Sequence, residues 1–209
     1  MRPDYSVYLV TDRPLCGGRA LMEVVAQAVQ GGVTMVQLRE KHADTREFVE
    51  LAQALLRVVR PVGVPLLIND RIDVAMAVGA DGVHVGQRDM PYADARRMLG
   101  SEAIIGLSVE SMEQAREAEQ WDVDYFGVSP VFATGTKTDT GDPWGLEGLR
   151  CLRRASTKPL VGIGGLGPNN AEDVLRAGAD GIAVVSAICG ACDPVAAAAE
   201  LRRAVSAAS

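Results

Sequence analysis

Short runs rich in β-branched and apolar residues alternate with longer helical patterns along the whole chain, and this alternation constrains the fold more than any other feature. The runs fall at residues 5–10, 35–39, 65–69, 82–85, 104–108, 125–128, 160–163 and 181–185. Helical periodicity follows each of the first three, at 20–30, 45–60 and 72–78. It resumes at 92–99, from 110 to about 121, at 146–155, from 169 onward, and from 194 to about 207. Eight strand–helix units in 209 residues leave about 26 residues per unit, enough for a parallel strand and its right-handed return helix. Eight such units predict a closed (β/α)8 TIM barrel in a single domain spanning 1–209, near the short end of that fold. A doubly wound open sheet is the competing architecture.

An internal echo favours the barrel. The sequence Val-Gly-Ala-Asp-Gly-Val-His-Val at 78–85 returns as Ala-Gly-Ala-Asp-Gly-Ile-Ala-Val at 177–184, roughly half the chain later. Each copy places a glycine where a helix ends, then a turn acid, then a strand. Two half-barrels of common origin would produce this, and so would a reused helix-to-strand turn.

Composition removes several classes of function. With 48% hydrophobic and 23% charged residues the chain can bury a sizeable core. A formal net charge of −6 without any Lys/Arg run argues against a nucleic-acid surface. No apolar segment approaches the roughly 20 residues that span a bilayer, and the first residues turn polar too early for a signal peptide. The expectation is a soluble cytoplasmic protein with no membrane partner. Cys189 and Cys192 form Cys-Gly-Ala-Cys. Neither His42 nor His84 has the spacing that would complete a zinc site, so incidental thiols are expected.

In a barrel, chemistry gathers where the strands end. The second strand ends in Gln37-Leu-Arg39-Glu-Lys41. Period-two alternation puts Gln37 and Arg39 on one face, against Val36 and Leu38 on the other, with Lys41 just beyond. Two cations beside an amide suit a multiply charged phosphate, although a solvated strand end would look similar. The third strand ends Asn69-Asp70, and the fourth runs from His84 into Asp89. Asp70 and Asp89 each suit a helix cap or turn. Meeting at one mouth with Arg39, Lys41 and Lys137, they are better explained as carboxylate ligands of Mg²⁺ on a diphosphate. The fifth strand ends at Ser108, the seventh at Gly164-Gly165, the eighth at Val185-Ser186. The glycines allow close backbone approach to a second anion. The loop Ser129-Pro-Val-Phe-Ala-Thr134-Gly-Thr136-Lys137 adds hydroxyls and a cation. His84 is expected to be a packed polar residue rather than a base. No Ser–His–Asp or Cys–His set emerges.

In this order the segments resemble the thiamine-phosphate synthase family. They are Gln37-Leu-Arg-Glu-Lys41, Asn69-Asp70, Gly82-Val-His-Val-Gly-Gln-Arg-Asp89, Gly106-Leu-Ser108, Pro130-Val-Phe-Ala-Thr-Gly-Thr-Lys137, Gly162-Ile-Gly-Gly165 and Val184-Val-Ser186. The resemblance implies a (β/α)8 transferase joining an aminopyrimidine methyl diphosphate to a thiazole phosphate. It implies that Gln37, Arg39, Lys41, Asn69, Ser108 and Lys137 hold the pyrimidine diphosphate. Arg39, Lys41 and Lys137 would be the catalytic cations, and Asp70 and Asp89 would hold one Mg²⁺ per subunit. Thr134, Thr136, Gly165, Val185 and Ser186 would hold the thiazole phosphate. Ala133 departs from the proline more usual in the family. A thiazole-phosphate isomerase of the same barrel superfamily and a non-catalytic precursor-binding protein are the alternatives. The sequence leaves a homo-oligomer open.

Overall fold

The computed structural model describes residues 3–135 and 142–208. Eight parallel strands close into a barrel in chain order, the last pairing with the first. They are β1 (Val7–Val10), β2 (Met35–Leu38), β3 (Leu66–Asn69), β4 (Gly82–Val85), β5 (Ile104–Val109), β6 (Tyr125–Val128), β7 (Leu160–Ile163) and β8 (Gly181–Val184). The principal helices are α1 (Leu21–Gln30), α2 (Thr45–Val59), α3 (Ile72–Val78), α4 (Tyr92–Leu99), α5 (Met112–Ala118), α6 (Gly145–Ala155), α7 (Pro168–Arg176), α8 (Ser186–Cys189) and α9 (Pro194–Ser206). Closure excludes the open doubly wound sheet. The expected elements all form, with small differences at their ends. For example, α5 starts later than residue 110 because Ser111 caps it, accepting from the Gln114 N–H at 3.2 Å. The short helix α8 has no periodicity long enough to be read from sequence.

The strands read as near-continuous apolar runs because each is buried on both faces. Outward residues such as Val7, Leu9, Val36, Leu38 and Ile68 pack under the helices. Inward residues Tyr8, Val10, Met35, Leu67, Tyr125, Val161 and Ala183 fill the barrel. The predicted alternation in β2 holds: Gln37 and Arg39 turn inward to the cavity, Val36 and Leu38 outward.

At the N-terminal end of the barrel one device recurs four times. The residue preceding each even strand accepts a hydrogen bond from an N–H at the start of the strand before it. Thr34 Oγ1 takes the Val7 N–H at 3.1 Å. Asp81 takes that of Leu66, Asp124 that of Ile105 and Asp180 that of Leu160, each at 2.8 Å. The turn acids of the internal echo therefore do equivalent work in the two halves. Arg96 braces Asp124 and Arg153 braces Asp180. Replacing Asp180 with Ala leaves the Leu160 N–H without its acceptor, and the expected loss is about 1–2 kcal/mol. Urea unfolding checks this, and turnover of the folded variant should be unchanged because the turn lies at the end opposite the cavity.

Candidate active site

The C-terminal strand ends surround a cavity of about 480 Å³. Gln37, Arg39, Lys41, Asn69, Asp70, Asp89, Ser108, Thr134, Gly165, Val185 and Ser186 all line it. The structure thus brings together eleven of the residues singled out from sequence. The other two, Thr136 and Lys137, lie outside the described residues.

On one side, the loops after β2, β3 and β4 converge. Lys41 Nζ lies 2.5 Å from Asp70 Oδ2. Asp70 has a φ of 63° and is the one non-glycine with positive φ among the described residues, an uncommon conformation tolerated best by Asp and Asn. It does not cap α3, whose N-cap residue is Arg71. Its backbone N–H instead donates to the His84 carbonyl at 2.9 Å, tying the β3 loop to β4. Asp89 closes a turn by accepting from the Gly86 N–H at 2.7 Å. Burial pushes the Asp89 carboxyl above its ordinary range. The Gly86 bond opposes this, while the Asp70 carboxyl, within hydrogen-bonding reach, pushes it further up and Lys41 pulls it back. Two carboxylates crowded in this way, with one cation beside them, form a set of hard oxygen donors. Beside them Asn69 is buried, and its Nδ2 has no hydrogen-bond partner among the described residues. A buried donor lining a cavity in this state calls for an acceptor from a ligand.

Across the mouth, Gly164 and Gly165 have φ of 101° and 66°. A Cβ on Gly165 would stand 2.9 Å from the Ala133 carbonyl oxygen, and one on Gly164 would stand 2.7 Å from Pro130 Cβ. Their close backbone approach is therefore to the loop after β6, which is stitched to β7 by the Val131 and Phe132 N–H groups. This packing sets Thr134 beside Gly165, Val185 and Ser186 at the cavity.

Sequence reasoning missed the floor. Tyr8 and Tyr125 are fully buried inside the barrel and linked hydroxyl to hydroxyl at 3.0 Å. Gln37 Nε2 donates to Tyr8 at 2.8 Å, and His84 bridges Tyr125 and Ser108, at 2.8 Å on each side. Both tyrosines sit at inward positions of their strands, so parity with Gln37 and Ser108 was the available signal. The cysteines are all free, Cys189 buried and Cys192 exposed. Among the described residues no three His, Cys, Asp or Glu cluster as metal ligands. No helix among them is long and apolar enough to cross a membrane.

A family model described as thiamine monophosphate synthase matches residues 7–188. The chain belongs to the thiamine-phosphate synthase family. It is 60% identical to the thiamine-phosphate synthase of Albidiferax ferrireducens over 201 residues, covering 96% of this chain and 92% of that one. It is 57% identical to that of Syntrophomonas wolfei over 190 residues, covering 91% of each. Among solved structures, the thiamine phosphate pyrophosphorylase of Pyrococcus furiosus superposes with a TM-score of 0.90 at 42% identity, covering 99% of this chain and 98% of that one. The activity is that of a thiamine-phosphate synthase, a transferase, on a TIM barrel.

Proposed function

We propose that the chain joins an aminopyrimidine methyl diphosphate to a thiazole phosphate by dissociative substitution at the pyrimidine methylene, giving thiamine phosphate and diphosphate. The observation that carries this reading is the convergence of Asp70, Asp89, Lys41 and the Asn69 Nδ2, which has no partner among the described residues, on one side of a cavity whose other side offers Thr134, Gly165 and Ser186. Two anionic groups can then be held at once over one floor.

In this reading Arg39, Lys41, Asn69 and, from the family resemblance, Lys137 bind the diphosphate oxygens. Gln37 and Ser108 hold the pyrimidine. Thr134, Gly165, Val185 and Ser186, with Thr136, hold the thiazole phosphate. The methylene C–O bond breaks with its electron pair leaving on diphosphate, and the electron-rich aminopyrimidine delocalises the resulting cation. The thiazole nitrogen lone pair then forms the new C–N bond, so no side chain has to accept a proton or become covalently attached. The cations are preorganised where negative charge grows, and the clamped second ring supplies proximity. The paired oxygen donors of Asp70 and Asp89 suit Mg²⁺, which keeps waters and shares substrate phosphates. When bound there, the ion supplies Lewis-acid stabilisation of the departing diphosphate. A cytoplasmic location goes with this reading.

The test is a coupled assay with both precursors. Thiamine phosphate is expected only with Mg²⁺ present, and activity undiminished by excess chelator would remove the metal assignment. Tautomer exchange of a thiazole phosphate without coupling would favour the isomerase instead.

A further inference from the structure

The floor of the cavity carries an inference that rests on this reading and deepens it. Five side chains from five strands form one continuous path: Gln37, Tyr8, Tyr125, His84 and Ser108. Each touches the cavity, yet only the two ends belong to the substrate set above. Burial pushes both phenols above their ordinary range, so both keep their protons and each can donate once.

Either phenol can donate to the other and the imidazole roles follow its tautomer, so the path can run in either direction; the direction proposed below starts from the Gln37 amide. Gln37 Nε2 donates to Tyr8 at 2.8 Å. In that direction the single Tyr8 proton goes to the Tyr125 oxygen, 3.0 Å away. Tyr125 would in turn donate to a neutral His84 at Nδ1, 2.8 Å away. A neutral imidazole accepting at Nδ1 carries its proton on Nε2, 2.8 Å from Ser108 Oγ. In that direction Ser108 accepts from His84, and its own proton is available to the cavity. At the other end the Gln37 amide has given an N–H to Tyr8 and keeps its carbonyl oxygen as acceptor.

Strand glycines hold this path in place. A Cβ on Gly106 would lie 2.1 Å from Tyr125 Cζ, and one on Gly127 would lie 2.8 Å from His84 Cε1. Glycine weakens a strand interior, and at these two positions it makes room for the two rings.

We propose that Tyr8, Tyr125 and His84 are positioning residues that form a one-way hydrogen-bond relay. The relay fixes Gln37 as acceptor and Ser108 as donor, so that the floor selects a heterocycle presenting an amine near a ring nitrogen. The three do not touch the reacting bond. They set the polarity with which the pyrimidine is received.

The chain has two histidines, so protein labelled with ¹⁵N-histidine gives imidazole signals from only His42 and His84, assigned with a His42→Gln variant. In the ligand-free enzyme His84 is expected with its proton on Nε2 and none on Nδ1. A proton on Nδ1 would reverse the relay and overturn the proposal. Tyr125→Phe keeps the ring and the barrel packing but removes the donor to Nδ1. Its tautomer preference should be lost, and KM for the pyrimidine diphosphate should rise about tenfold, the scale of one misoriented hydrogen bond. KM for the thiazole phosphate should not move. His84→Gln, whose amide nitrogen can replace Nε2 as donor to Ser108, should recover most of the affinity that His84→Leu loses. Equal KM changes for both substrates, or none in Tyr125→Phe, would reduce the three residues to packing. Should the wild-type protein form no thiamine phosphate at all, the functional reading fails, while the tautomer still decides the relay.

Discussion

Asp70→Ala is expected to lower turnover by about 10²-fold or more, the scale of losing one contact that stabilises a departing anion. The change removes one of the two carboxylates proposed to hold Mg²⁺ and also frees Lys41, whose ammonium lies 2.5 Å from Asp70. Steady-state kinetics against Mg²⁺ concentration checks it, and a variant saturating at the wild-type rate would refute the pairing. Asp89→Asn should lose activity on the same scale while gaining stability. Burial and then the neighbouring Asp70 raise the Asp89 carboxyl above its ordinary range. A carboxyl so shifted binds its proton more tightly folded than unfolded. Its ionisation therefore works against the fold, in full once the pH exceeds the folded value. Asn keeps an oxygen for the Gly86 N–H and removes the charge. The metal-free variant should melt above the metal-free parent at neutral pH, and the gap should close as pH falls into the carboxylate range.

The second large effect is on folding. Gly82→Ala and Gly181→Ala should each destabilise by about 3 kcal/mol, the upper end of overpacking costs. A Cβ on Gly82 would lie 1.9 Å from the Ile104 carbonyl oxygen, and one on Gly181 would lie 1.8 Å from that of Tyr5. Those obstacles are backbone atoms at the strand contacts that close the barrel, so no rotamer change relieves them. Because the two glycines are equivalent points of the internal echo, the two losses should be similar. Urea midpoints differing widely between the variants would show that the halves do not share this device.

How much was legible in the sequence depended on whether a signal was local. The strands stood out because burial on both faces makes each a short apolar run, and the helices because an amphipathic stripe repeats every turn. The rim was legible for a related reason: in a parallel barrel all strand ends point the same way. Polar residues following each run, such as Arg39, Asp70, Ser108 and Ser186, were therefore bound to meet. Taken alone, Asp70 reads equally well as a helix cap, and only its meeting with Lys41 and Asp89 at one mouth favours the ligand reading. Its positive φ and its ion pair removed the cap.

The floor was different. Tyr8 and Tyr125 are 117 residues apart, and each alone reads as an ordinary inward aromatic. The sequence by itself determined the eight units, the barrel and the residues at its mouth, since periodicity and strand direction are properties of neighbouring positions. Only the tertiary structure decided which polar groups pair across the barrel axis, because a hydrogen bond depends on distances that closure of the sheet creates.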